Sequence, residues 1–147
     1  MVATLNNQLT YRTNDNEVVD LGEGRVSVRV RLLPPFSENT GGGLFFRGSL
    51  TSTTYLAFYR KAGRAYSLCK IVDGKLENIW THEISQIDDK EFCQLSISGC
   101  GNRIELSVDA AIVFAYTCKS IHGPTVGVSV LGTGLFEFDD FAMYSRR

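Results

Sequence analysis

The sequence has no Cys-x-x-Cys pair, only two histidines, three prolines and one tryptophan, and no apolar run long enough to span a bilayer. Without a Cys-x-x-Cys pair a zinc ribbon or a thioredoxin-type site is excluded. His82 lies in Trp80-Thr81-His82-Glu83 and His122 precedes Gly123-Pro124. Neither sits in a metal or triad motif, so both are expected on the surface. A formal net charge of -1 gives no field that would draw in nucleic acid. The missing apolar run leaves no candidate membrane helix. The first residues lack the basic-then-apolar pattern of a signal peptide. Two locations stay open: the cytoplasm, or the exterior for a mature or excised domain.

What is present fits one domain over residues 1–147, large enough to bury a core unaided. There is no linker, repeat or low-complexity tract. The four cysteines Cys69, Cys93, Cys100 and Cys118 permit two disulfides in three connectivities. A chain of this size does not need staples, so mostly free thiols are expected.

Strand signals recur from end to end. Residues 25–32 alternate Val26, Val28, Val30 and Leu32 against Arg25, Ser27, Arg29 and Arg31, the period of a half-buried strand. Residues 39–43 (Asn-Thr-Gly-Gly-Gly) read as a flexible turn before a strand that starts at Leu44. Strands follow at 55–60 and 66–72, and Asp73-Gly74 is a hairpin signal leading into 75–83. Further strands are expected at 92–98, 103–109, 111–116 and 125–130, with a polar connection at 85–91. In residues 135–144, Phe136 and Phe138 alternate with acidic residues. Asp139-Asp140 then shifts the phase so that Phe141 and Met143 continue the apolar face, the mark of a β-bulge. Many short strands with frequent turns indicate an antiparallel sandwich or barrel.

The order of several pieces resembles the concanavalin A-like (laminin G-like) jelly-roll superfamily. The pieces are Gly43-Leu44-Phe45-Phe46-Arg47, Tyr55-Leu56-Ala57-Phe58, Ile71-Val72-Asp73-Gly74, residues 94–99, residues 104–109, residues 123–127 and Phe138-Asp139-Asp140-Phe141. The resemblance implies an all-β, two-sheet antiparallel jelly-roll sandwich. It is similar to carbohydrate-binding modules, lectins and accessory domains of glycoside hydrolases, and some members bind proteins instead. Fold alone does not fix function.

Three function classes follow. The leading one is a non-catalytic glycan-binding module, with a glycan or polysaccharide as partner. Sugars are held by aromatic faces and planar polar groups. The candidates are Arg47, Tyr55, Tyr59, Trp80, Arg29, Arg31, Glu105 and Asp109, expected on the outer or concave face of one sheet. Arg47 leads them, and Arg47→Ala is expected to remove binding while leaving the fold intact. Trp80 reads as core or as platform. The arginines on the 25–31 face would attract a carboxylate or pair with acids of their own sheet. The second class is a protein-interaction or oligomerisation domain using the same face. The third is a glycoside hydrolase or polysaccharide lyase. Jelly-roll glycanases carry Glu-x-Asp-x-Glu, and Glu137-Phe138-Asp139 supplies only its first half. Glu105 and Asp109 would lie about 13 Å apart on an extended strand, too far for a glycosidase pair. The resemblance also implies a structural calcium at Asp139 and Asp140, with Asp15, Asp20 or Glu23 contributing and carbonyls completing the site.

Overall fold

The computed structural model describes residues 4–9, 11–12, 18–19, 21–33, 40–62, 65–83, 91–132 and 134–145. In chain order the strands are β1 (Thr4–Leu9), β2 (Tyr11–Arg12), β3 (Val18–Val19), β4 (Gly24–Leu33), β5 (Gly41–Gly48), β6 (Tyr55–Lys61) and β7 (Ala65–Val72). They continue with β8 (Lys75–Glu83), β9 (Cys93–Cys100), β10 (Arg103–Val108), β11 (Ala111–Thr117), β12 (Thr125–Leu131) and β13 (Leu135–Ser145). A 3-10 turn, Leu21–Glu23, precedes β4.

Two antiparallel sheets carry the fold. One has six strands in the order β1-β12-β5-β6-β7-β8, the other five in the order β11-β10-β9-β4-β13, and β2 pairs with β3 as a small ribbon. The alternation seen in the sequence faces the sheets toward each other. Val26, Val28 and Val30 of β4 and Leu95 and Ile97 of β9 meet Leu44, Phe46, Leu56, Phe58 and Leu68 of the six-stranded sheet, all fully buried. Each such side chain contributes roughly 1.5–3 kcal/mol by leaving water. This is the two-sheet sandwich expected from the sequence.

The strand at 25–32, the Asp73-Gly74 hairpin and the bulge in the last strand are all present. Asp139 pairs with Arg29 and Ala142 with Ser27, so two residues of β13 oppose one of β4. Asp140 takes a left-handed φ of 52° there, and its N–H donates to Asp139 Oδ1 at 2.9 Å. The glycine run departs from the expected turn. Gly41, Gly42 and Gly43 lie inside β5, paired to β6 and β12. A Cβ on Gly43 would stand 2.0 Å from the Phe58 carbonyl oxygen, and one on Gly42 2.7 Å from the Phe136 ring. The glycines mark close approach of neighbours, not flexibility. Most of the expected polar connection at 85–91 lies outside the described residues.

Alternation also puts Phe45, Tyr55, Ala57, Tyr59, Cys69, Ile71 and Leu131 on the far side of the six-stranded sheet. They form a second apolar cluster there, and it too is buried. Cys69, Cys93 and Cys118 are buried free thiols, and Cys100 is exposed at the end of β9.

Candidate functional site

Arg47 stands next to last in β5, with a left-handed φ of 57°. Its side chain is 1% exposed, not on an outer face. Nε donates to the Gly22 carbonyl at 2.9 Å and Nη2 donates to Glu23 Oε1 at 3.3 Å. Nη1 lies 3.3 Å from His122 Nδ1, and His122 Nε2 lies 3.1 Å from Asn102 Oδ1. A guanidinium only donates, so Nδ1 accepts and the ring carries its proton on Nε2. Glu23 Oε2 accepts the Gly101 N–H at 2.9 Å. The niche depends on Gly99, where a Cβ would come within 2.7 Å of both Nη2 and the Gly22 oxygen. Arg47 therefore ties the 3-10 turn, β5 and two loops together. Its expected place as the leading ligand residue is corrected by this burial.

Tyr55 and Tyr59 do face away from the sandwich core, as their parity indicated, but they are 2% and 0% exposed. They are not the open platform expected from the sequence. Tyr59 Oη lies 2.7 Å from Ser129 Oγ. Burial pushes its phenol well above the ordinary value. Burial also raises Tyr66, whose hydroxyl donates to Cys93 Sγ at 3.6 Å on the inner face. The thiols of Cys69 and Cys93 are raised for the same reason.

Arg29 and Arg31 lie on the outer face of the five-stranded sheet, where β13 supplies their partners. Arg31 Nη2 stands 2.6 Å from Glu137 Oε2. Arg29 Nη1 stands 3.8 Å from Asp139 and 3.5 Å from Asp140. Both guanidinium groups also lie over the Phe92 ring, at 5.0 and 4.6 Å from its centroid. Opposite charges in facing strands stabilise a sheet modestly. Glu105, on β10, accepts from Arg103 Nε at 3.0 Å. Asp109 is not on that strand face: it sits in the turn after β10, where its Oδ1 accepts the Gln94 N–H at 2.9 Å.

The calcium expectation meets the same arrangement. The carboxylates of Asp139 and Asp140 face Arg29, which offsets one of their two charges. Glu23 is held by Arg47 and Gly101. Asp15 and Asp20 lie outside the described residues, and no group of three His, Cys, Asp or Glu among the described residues could hold a metal ion.

Trp80 pairs with Leu68 and so faces the core side of β8, half-buried against the main cluster. Its indole stacks on Phe114 of β11, with centroids 4.9 Å apart and planes 14° apart. His82 extends the row on one side (6.0 Å, 8°) and Tyr116 on the other (6.4 Å from Phe114, 18°). Strands β8 and β11 end their sheets, so the four rings line the seam where the sandwich edges meet. His82 and His122 are exposed, as expected.

The eight candidate ligand residues thus do not converge on one site. Arg29 and Arg31 share a patch with Asp139 and Asp140, while Arg47, the tyrosine pair, Trp80 and Glu105 lie elsewhere. The sequence reading missed Phe92 between the arginines, and Phe114 and Tyr116 beside Trp80. The only signal for the latter was two rings at i and i+2 on one strand.

No protein-family model and no curated protein matches the sequence. Solved structures do. The carbohydrate-binding module CBM66 from Bacillus subtilis superposes with a TM-score of 0.75 at 13% identity, over 97% of this chain and 95% of that one. This chain has the concanavalin A-like jelly-roll fold. A Bacillus licheniformis beta-glucanase superposes with a TM-score of 0.67 at 12% identity, over 97% of this chain and 71% of that one. A toad ovary galectin in complex with thio-digalactose gives 0.59 at 11% identity, over 97% and 98%. Lectins, a binding module and a hydrolase thus share this jelly roll.

Proposed function

We propose that the chain is a non-catalytic glycan-binding module. The observation that carries this reading is the match along the full length of a carbohydrate-binding module, 97% of one chain against 95% of the other. The carboxylates considered for catalysis support it further, since each is engaged structurally. Glu105 holds Arg103, Asp109 caps a turn, Glu137 holds Arg31, and Asp139 and Asp140 face Arg29. A glycosidase needs two carboxyl groups free to face one bond.

The test is native gel electrophoresis through soluble mixed-linkage β-glucan, xylan, galactan and levan, with a reducing-sugar assay on the same mixtures. Retardation by at least one polysaccharide, without release of reducing ends, is expected. Migration unchanged in all four gels overturns the binding reading. Reducing ends that appear in proportion to protein replace it with hydrolysis.

A second reading has its own observation. Leu135 and Tyr144 on the edge strand β13 are 59% and 62% exposed. Apolar groups on a sheet edge favour strand pairing with another chain. Sedimentation over a range of concentrations tests this, and a single monomeric species throughout removes it.

A further inference from the structure

Resting on the glycan-binding reading, we infer that the glycan is held at the seam between β8 and β11, on the ring row His82, Trp80, Phe114 and Tyr116. Three consecutive ring contacts at 6.0, 4.9 and 6.4 Å, with planes within 18° of parallel, run across the two edge strands. Closing the edge of a sandwich requires only apolar bulk, which Leu or Ile supplies. This row does more. His82 carries it out of the core to an exposed position, and Trp80, Phe114 and Tyr116 are each half-buried, one part packed on the core and one part in solvent.

The rings stack on one another, so what they offer a sugar's apolar C–H surface is a ridge of ring edges, anchored on the core and wet on the outside. They are rigid, and they lose little freedom when a ligand arrives. Tyr116 and His82 also place a hydroxyl and ring nitrogens at the two ends of the row, where they can hydrogen-bond to sugar hydroxyls.

The rest of the molecule is less suited. The aromatic cluster on the far side of the six-stranded sheet is buried. The Phe92 ring has two guanidinium groups over it. Arg47 is held inside. The rings of the seam carry no carboxylate or guanidinium, so the ligand class is a neutral glycan chain long enough to span more than one ring.

Trp80 is the sole tryptophan of the chain, so its fluorescence reports on the seam alone. The experiment titrates the intact protein with mixed-linkage β-glucan, xylan, galactan and levan. It follows indole emission and gel retardation together, for the natural sequence and for Phe114→Leu and Tyr116→Ala. The leucine keeps bulk at the sandwich edge and removes the ring, and thermal melts confirm that both variants are folded. A saturable emission change with the polysaccharide that retards the protein, and affinity at least about tenfold weaker in both variants, is expected. Retardation with affinity unchanged in both variants overturns the seam and leaves the glycan-binding reading standing. Absence of retardation by all four polysaccharides overturns that reading, and the seam with it.

Discussion

The Arg47 guanidinium holds Gly22 and Glu23 of the 3-10 turn and touches His122 of the loop before β12. Its backbone is left-handed, a conformation that costs a residue with a Cβ about 1–2 kcal/mol. The molecule keeps this strain because the side chain satisfies several partners at once. From the sequence, Arg47→Ala should have removed binding without unfolding. The buried network reverses that expectation. Arg47→Ala leaves the Gly22 carbonyl without its donor and Glu23 without its cation, and is expected to lower stability by about 3 kcal/mol in urea denaturation. Arg47→Gly loses the same contacts but relieves the backbone, so it should be about 1 kcal/mol more stable than the alanine variant. Two variants of equal stability would show that the positive φ stores no strain. An alanine variant as stable as the natural sequence would show that the network contributes nothing.

Two hairpins in this fold use the same two-residue connection. Val72 pairs with Lys75 across Asp73-Gly74, and Val108 pairs with Ala111 across Asp109-Ala110. All four connecting residues have positive φ, at 51°, 81°, 48° and 70° in that order. A hairpin of this length with both residues left-handed is a type I′ turn, whose favoured sequences are Asn-Gly and Asp-Gly. The first hairpin has that sequence and was legible from it. The second has alanine where glycine fits best. Ala110→Gly is therefore expected to stabilise the protein by about 0.5–1 kcal/mol, the left-handed penalty of alanine less the greater unfolded entropy of glycine. That corresponds to a rise of a few degrees in Tm, and a drop in Tm would refute the turn assignment. The same contrast runs through the fold. Strands β4 and β10 were readable because each has one face in the core and one in water, so apolar and polar residues alternate. The start of β5 was not, because Gly41 to Gly43 are there to admit the Phe58 carbonyl and the Phe136 ring, neighbours distant in sequence. The outward parity of Tyr55 and Tyr59 was readable, and their burial was not. Parity is a property of one strand, whereas burial depends on what else packs against the sheet. The ring row failed to show for a related reason. Trp80 and Phe114 meet across two sheets, and no local pattern encodes which edge strands face each other.

Buried polar contacts bind the whole molecule across its layers. The Tyr66 hydroxyl on the six-stranded sheet donates to Cys93 Sγ on the five-stranded one. The Arg60 guanidinium crosses the same way to the Val30 carbonyl at 2.8 Å and to that of Glu91. On the far side, Tyr59 pairs with Ser129. The phenols of Tyr59 and Tyr66 are raised above their ordinary value of 10.0, and the thiols of Cys69 and Cys93 above 9.0, in each case chiefly by burial. The sign of the consequence is fixed by linkage. As pH rises past these ordinary values, the unfolded chain releases protons that the folded chain retains. The unfolded state then binds fewer protons, and stability falls with pH. The contribution of these groups is fully present below about pH 8 and is lost progressively above it, the thiols first and the phenols next, at a slope of up to about 1.4 kcal/mol per pH unit for each group that differs. Urea denaturation from pH 7 to pH 11 should give a nearly constant free energy to about pH 8.5 and a steepening decline beyond pH 10. Tyr66→Phe keeps the ring in the core and removes the titrating hydroxyl. Its stability should fall less steeply above pH 10 than that of the natural sequence, with the two curves parallel below pH 8.5. If the natural sequence is as stable at pH 11 as at pH 8, these groups ionise alike in the folded and unfolded chains, and the sandwich does not shield them as its burial implies.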